Sequence, residues 1–263
     1  MKRRDVSNLA GSCGLGAWMA FSLLTMVMMG QDGTPLFADH DLLDWSVNHR
    51  SNVVLALARG LTATGTAVVP YALAALAGII AGHTLRQRAL AVTLCLACLG
   101  AGQALRYGLM KFVERPRPPQ ADWRTHASGW AFPSGHTTTA ALTAGLLIIA
   151  ILVRGPRGKT LLCAAIGCWG VLVGLTRVYL GVHWVTDVLG GWLLALGWLG
   201  VSLAATAHWL PERWTPRRTA ADTMPSEAAR PAGTEPGRTT PAWKQEEDHA
   251  PDDPGRGRRS RPA

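Results

Sequence analysis

The chain alternates between long apolar stretches and short polar connections. Six stretches carry almost no charge and approach the length of a membrane crossing; they occupy residues 15–30, 66–82, 89–110, 137–153, 161–178 and 185–209. A helix needs roughly 20 largely apolar residues to cross the hydrocarbon core, where every backbone polar group must be paired internally. The pattern therefore predicts an all-α fold, a polytopic membrane helix bundle with about six transmembrane helices.

The segment between the first two stretches has a different pattern. Residues 37–58 have apolar positions at helical spacing and indicate an amphipathic helix on the outer interface. Its acidic cluster, Asp39, Asp41 and Asp44, could be taken for a metal site together with His40. Adjacent residues on a helix do not face one another, so we predict a solvated polar face instead.

The composition changes after the sixth stretch. Residues 211–263 are rich in proline, arginine and acids and poor in aliphatic side chains, which predicts a disordered cytoplasmic tail. The chain therefore divides into a membrane domain, residues 1–210, and a tail, residues 211–263.

The net charge of +9 does not indicate a nucleic-acid partner. The tail contains ten Lys/Arg and nine Asp/Glu, so nearly all of the excess lies in the membrane domain. There the basic residues cluster at four places beside the ends of the stretches: 2–4, 86–88, 154–159 and 213–218. By the positive-inside rule these segments are cytoplasmic, so both termini lie on the cytoplasmic side of the cell membrane. The first stretch could also be a cleaved signal peptide, but no small-x-small cleavage site follows it, and we predict a retained helix.

Three polar segments interrupt the apolar pattern, at residues 111–118, 133–136 and 176–187. The span count puts all three on the extracytoplasmic face, where they can share one site. Ionisable side chains at membrane depth are costly and usually functional. Single arginines or lysines could simply anchor helix ends at the interface, but three clusters of complementary chemistry on one face predict a functional site.

The last segment contains a candidate nucleophile. His183 and Asp187 are four residues apart at the start of a helix and so lie on one face. A carboxylate bonded to one ring nitrogen fixes the tautomer and leaves the other nitrogen free to attack. The segment 133–136, Pro-Ser-Gly-His, offers the hydroxyl of Ser134, the open backbone of Gly135 and the free N–H groups of a helix start, which suit a phosphate. His136 would be the general acid.

Cations complete the predicted site. Guanidinium groups match phosphate oxygens bidentately, so Arg117 and Arg177 are candidate phosphate ligands, with Lys111 as a third. Arg115 competes with Arg117 for this role, and its position before Pro116 gives no reason to exclude it.

The ordered set Lys111, Arg117-Pro118, Pro133-Ser-Gly-His136 and Arg177-x5-His183-x3-Asp187 resembles the three-part signature of the type 2 phosphatidic acid phosphatase family, whose fold is shared with vanadium haloperoxidases. The resemblance implies that His183 attacks phosphorus and becomes phosphohistidine, with Asp187 orienting it. It implies that His136 protonates the leaving group, with no metal and no cofactor. The phosphate-binding set it implies is Lys111, Arg117, Ser134, Gly135 and Arg177.

Two positions depart from the family pattern. Thr176 stands where serine is usual and keeps the hydroxyl. Lys111 is followed by five residues before Arg117, where six are usual, and one residue corresponds to about 100° of helix rotation. Lys111 would need a loosened last turn to reach the site, or Arg106 would assist it.

The predicted function is that of an integral-membrane lipid phosphatase. Its substrate would be a lipid phosphate in the bilayer, either a polyprenyl diphosphate or a phosphatidate-type lipid, with a slight preference for the former because an outward-facing site suits recycling of a wall-precursor carrier. The alternatives are a catalytically silent lipid-binding or transport protein of the same fold, and a halide-oxidising enzyme using vanadate, which the six spans disfavour. The sequence leaves the oligomeric state open.

Overall fold

The computed structural model describes residues 3–36 and 38–209, and these residues form helices and no strand. The helices are α1 (Arg3–Met29), α2 (Asp39–Asn48), α3 (Asn52–Ala63), α4 (Val68–Ala81), α5 (Leu85–Val113), α6 (Gly135–Arg154), α7 (Lys159–Tyr179) and α8 (Val185–Trp209), with a 3-10 turn at Gln120–Asp122. The prediction of an all-α helix bundle is confirmed. The predicted tail, residues 211–263, lies outside the described residues.

Five of the helices, α1, α5, α6, α7 and α8, are long and apolar enough to cross a membrane. The pair α3 and α4 would provide a sixth crossing if it acts as one span, although it is bent by 54°. The protein is therefore a multi-pass membrane protein with five or six spans in its described part.

The first helix of the bent pair, α3, packs against α7. Arg50, just before α3, donates from Nε to the carbonyl of Tyr179 at the end of α7 (3.2 Å). At the other end of α3, the indole of Trp169 in the middle of α7 donates to Oγ1 of Thr64 (2.9 Å), so α3 runs alongside α7. The 14 residues of α4 add about 21 Å, less than the roughly 30 Å of a bilayer core. A sixth crossing therefore needs α3 and α4 to act together as one broken span.

The prediction of one amphipathic helix over residues 37–58 is wrong. The chain forms two helices there, because the His49-Arg50-Ser51 connection interrupts the helix and Ser51 starts a new one, its hydroxyl accepting from the backbone N–H of Val54 (3.3 Å). Only α2 precedes the broken span, and α3 belongs to it.

The first helix packs directly against the last. A Cβ placed on Gly200 would lie 2.5 Å from Cα of Gly14, so the two backbones touch because neither position carries a side chain. Nearer the other end of α1, the ring of Phe21 stacks on Phe132 with centroids 5.5 Å apart. Through Phe21, Leu24 and Met28, α1 supplies part of the core of the bundle.

The three polar segments meet at one end of the bundle. Glu114 adopts a left-handed conformation (φ 50°) and ends α5, and the prolines that follow prevent the helix from continuing. Ser134, before α6, donates its backbone N–H to the carbonyl of Asp187 in α8 (3.1 Å). The connection between α7 and α8 lies beside them, so the chain brings all three segments together.

Candidate functional site

His183 lies in the short turn between α7 and α8 and is 2% exposed. Its Nδ1 lies 3.3 Å from Oδ2 of Asp187, which also accepts the backbone N–H of Trp184 (2.9 Å). With Nδ1 donating to the carboxylate, Nε2 is the nitrogen with a free lone pair. The one-turn spacing between His183 and Asp187 thus produces the predicted pair, an imidazole oriented by a buried carboxylate.

Arg117 faces the other side of this imidazole. One N–H of its Nη1 points at Nε2 of His183 (3.0 Å), and Nη1 also donates to the carbonyl of Val182 (2.7 Å). Its Nε and Nη2 donate to carbonyls of the loop before α6, those of Gly129, Ser128 and Trp130. Arginine has five N–H groups, and each has an acceptor here. Arg117 is therefore held rigidly beside the nucleophile rather than being a free side chain.

The surroundings of His183 favour its neutral form. Burial lowers the pKa of this histidine well below its ordinary value, and the positive charges of Arg117 and Arg177 lower it further. A neutral imidazole keeps the lone pair that a nucleophile requires.

The start of α6 adds polar groups to the site. Ser134 is the buried N-cap residue, and its hydroxyl oxygen accepts from Oγ1 of Thr137 (2.9 Å), which leaves its own O–H free to donate. Gly135 and His136 form the first turn and are half-buried. The positive charges of Arg177, Arg117 and Arg106 all act on His136. A helix N-terminus among several cations is suited to bind an anion.

Arg177 ends α7 and points into the bundle. It is 2% exposed, and its Nη1 donates to Oγ1 of Thr62 in α3 (3.0 Å), while its Nε is buried with no hydrogen-bond partner among the described residues. A buried N–H without a partner costs free energy unless a ligand supplies the acceptor. This feature agrees with the predicted role of Arg177 as a phosphate ligand.

The structure does not bring Lys111 into this group. Its side chain is exposed, with Nζ 5.8 Å from the ring centre of Tyr107 on the same helix. Met110, one residue earlier, is the buried position on this turn. The short spacing to Arg117 therefore turns Lys111 about 100° away from the site, and α5 does not loosen its last turn to compensate.

Arg115 has a different task from Arg117. It is fully buried, and its guanidinium joins two carboxylates, with Nη1 2.6 Å from Oδ1 of Asp187 and Nη2 2.7 Å from Oδ2 of Asp39. Nη1 also donates to Oγ1 of Thr186 (2.7 Å). Arg115 thus lies behind Asp187, on the side away from His183, and is not among the groups facing Nε2.

The expectation of a solvated face in residues 37–58 is wrong at Asp39. This carboxylate is 0% exposed and accepts the backbone N–H groups of Leu36 (2.8 Å) and Thr186 (3.0 Å) as well as the Arg115 guanidinium. Asp41 and Asp44 are exposed. Asp39 therefore anchors α2 to the start of α8.

Sequence reasoning missed Asp39 and Thr186 entirely. Asp39 is 76 residues from Arg115 and 147 from Thr186, and no local pattern links them. The sequence signal was helical phase, since Asp39 lies four and seven residues before Leu43 and Ser46, the other buried positions of α2.

Residues 88–211 match the family model of the PAP2 superfamily. These residues contain most of α5, all of α6 to α8, and His136, His183 and Asp187 with the arginines around them. This part of the chain, residues 88–211, belongs to the PAP2 superfamily. The resemblance drawn from the motifs is confirmed.

The known proteins similar to the chain include two curated relatives and a solved structure. Phosphatidylglycerophosphatase B of Bacillus subtilis is 40% identical over 106 residues, 39% of this chain and 52% of that protein. Undecaprenyl-diphosphatase of Sulfolobus acidocaldarius is 35% identical over 79 residues, 29% of this chain and 35% of that protein. The crystal structure of the transmembrane PAP2-type phosphatidylglycerolphosphate phosphatase from Bacillus subtilis superposes with a TM-score of 0.63 and 26% identity, covering 75% of this chain and 98% of that one. The chain thus spans about half or less of the curated relatives in sequence, and nearly all of the solved structure in fold.

Proposed function

We propose that this protein is an integral-membrane lipid phosphatase that acts through a phosphohistidine intermediate on His183. The observation that carries the proposal is the arrangement around that imidazole. Nδ1 is held by Asp187, Nε2 lies 3.0 Å from Nη1 of Arg117, and the charges of Arg177 and Arg106 act on the same imidazole. The names of the two curated relatives support a phosphate or diphosphate on a lipid as the substrate.

In the first step, Nε2 of His183 forms a bond to phosphorus as the bond from phosphorus to the leaving oxygen breaks. His136, in its protonated form once the phosphate anion is bound, gives its proton to the leaving oxygen and becomes neutral, so the lipid departs as an alcohol, or as a lipid monophosphate if the substrate is a diphosphate. Asp187 stabilises the positive charge that develops on the imidazole.

Arg117 must change one hydrogen bond for this step to occur. In the unliganded arrangement its Nη1 donates to Nε2 of His183, which occupies the attacking lone pair. A phosphoryl oxygen is a stronger acceptor than a neutral imidazole because it is charged. We propose that substrate binding redirects this N–H to the phosphate and thereby frees Nε2.

In the second step, water attacks phosphorus and the nitrogen–phosphorus bond breaks. Inorganic phosphate leaves, His183 returns to its neutral form, and His136 accepts the proton that the water loses. Ser134, Gly135 and Arg177 would hold the phosphoryl oxygens in both steps.

The site lies at one end of a multi-pass bundle, so the lipid tail can stay in the bilayer while only the headgroup enters. The positive-inside pattern supports an extracytoplasmic site with both termini in the cytoplasm. A reporter fused after Arg213 should read cytoplasmic, and an external reading would overturn this orientation.

The activity is tested with protein purified in detergent and supplied with a lipid monophosphate or a polyprenyl diphosphate. We expect phosphate release that persists in EDTA, is inhibited by orthovanadate and is lost in His183→Ala. His126→Ala, at an exposed position, is the matched control and should keep its activity. Full activity of His183→Ala would refute the mechanism, and failure of every substrate with the wild-type protein would refute the function.

A further inference from the structure

Arg106 is a cation in the site that the family signature does not include. It lies on α5, and its guanidinium rests against the backbone at the start of α6. A Cβ on Gly135 would lie 3.4 Å from Nη1 of Arg106 and 3.5 Å from its Cζ. Its charge also acts on His136, His183 and Arg117. Arg106 therefore lies beside the helix N-terminus where a phosphate would bind.

The hydrogen bonds of Arg106 are incomplete. Its Nε is buried and has no hydrogen-bond partner in the described part of the chain, and its Nη1 donates to the thioether of Met110 (3.3 Å), a weak acceptor. Among the described residues, no carboxylate forms an ion pair with it. Arg115, by contrast, is neutralised by two carboxylates. Arg106 is half-buried, and a guanidinium with a buried, unpaired N–H and no anion beside it is costly, so this arrangement points to an anionic ligand.

The geometry of α5 explains why this cation is Arg106 rather than Lys111. Residues four apart lie on the same face of a helix, and Arg106 shares its face with Met110, the buried position on the last turn. Lys111 is rotated about 100° from Met110 and is exposed. The ring of Tyr107 lies between the two cations, 5.9 Å from Cζ of Arg106 and 5.8 Å from Nζ of Lys111. Only Arg106 reaches α6.

We propose that Arg106 is the phosphate-binding cation contributed by α5, in the place that the sequence motif assigns to Lys111. Its ligand is a phosphoryl oxygen of the lipid headgroup at the start of α6, next to Gly135. This inference rests on the proposed function for its substrate, and on the geometry of Arg106 for its site. Arg106, which lies about one turn before Lys111 on α5, thus supplies the positive charge that Lys111 does not bring to this position.

The test compares Arg106→Met with Lys111→Met, two variants on one helix that remove the same charge. A charge-assisted hydrogen bond contributes about 1.5–3 kcal/mol, so kcat/KM for phosphate release should fall roughly 10- to 150-fold in Arg106→Met. Lys111→Met should stay within about twofold of wild type. Arg106→Lys keeps the charge and should recover part of the loss. Equal effects of the two methionine variants, or a loss only in Lys111→Met, would overturn the proposal.

A second measurement does not depend on catalysis. Inorganic phosphate should raise the thermal midpoint of His183→Ala protein in detergent, and this shift should disappear when Arg106→Met is added and persist with Lys111→Met. A persistent shift in the Arg106→Met background would show that Arg106 does not bind phosphate. If the wild-type protein hydrolyses no lipid but the phosphate shift follows Arg106, the proposed function fails while this binding site stands.

Discussion

Replacing Arg115 with methionine tests whether this arginine holds the site together or binds phosphate. The change keeps a long side chain but removes the guanidinium that joins Asp39 and Asp187, both 0% exposed. Each carboxylate would keep some partners, the N–H groups of Leu36 and Thr186 for Asp39 and that of Trp184 for Asp187. Both would lose their counter-charge.

The size of the effect follows from burial. Removing one partner of a buried ion pair typically costs about 3–5 kcal/mol, because the remaining charge is left uncompensated. For a domain of this size, such a loss corresponds to a drop in thermal midpoint of roughly 6–20 °C. Phosphate release should fall as well, since Asp187 would no longer be fixed beside His183. A surface charge does not have this effect, so Lys111→Met should leave the midpoint unchanged within about 2 °C.

The assay is thermal unfolding in one detergent at one scan rate, followed by intrinsic tryptophan fluorescence, with activity measured on the same samples. The double variant Arg115→Met/Asp39→Asn should be less destabilised than the sum of its single variants, because Asp39→Asn removes one of the two orphaned charges. A normal midpoint with a raised KM in Arg115→Met would refute the structural role and make Arg115 a phosphate ligand. Strict additivity in the double variant would refute the coupling between Asp39 and Arg115.

Two other predictions concern pH and packing. The pKa of His183 in the folded protein lies below the roughly 6.5 of an unfolded histidine, so at low pH the unfolded chain binds a proton that the folded chain does not. The free energy of unfolding should therefore fall from about pH 6.5 downward, by at most about 1.4 kcal/mol per pH unit. His183→Gln should flatten this slope, and an unchanged slope would contradict the reasoning. Gly200→Ala should lower the thermal midpoint because the new Cβ would lie 2.5 Å from Cα of Gly14, while Gly16→Ala, with open space around it, should not; equal midpoints for the two variants would argue against the close contact of α1 and α8.

The spans were predictable because hydropathy reports directly on membrane crossing, and five of them coincide with single long helices. The sixth was harder to recognise in full. Hydropathy identifies α4 as an apolar stretch, but α3 has 12 residues with Arg59 among them, and its contact with α7 is visible only in the structure. A short amphipathic segment has the same pattern whether it lies on a membrane or leads into it.

The site was predictable where its residues are close in sequence. His183 and Asp187 are one turn apart, so helical spacing alone indicates their contact. The partners of Arg115 and Arg117 could not be predicted this way, because both arginines lie in one short loop and point in opposite directions. Which of them faces His183 depends on the carbonyls of residues 128–130 and on Asp39, which come from distant parts of the chain.

The most direct test of the central claim is to trap the phosphoryl group on the protein. Acid-labile, alkali-stable phosphate should appear on the wild-type enzyme when labelled lipid phosphate is mixed and rapidly quenched in base, and mass spectrometry of the digest should place it on His183. It should be absent from His183→Ala and present in His126→Ala. Phosphate release at a normal rate with no covalent intermediate, or with the label on another residue, would contradict the account.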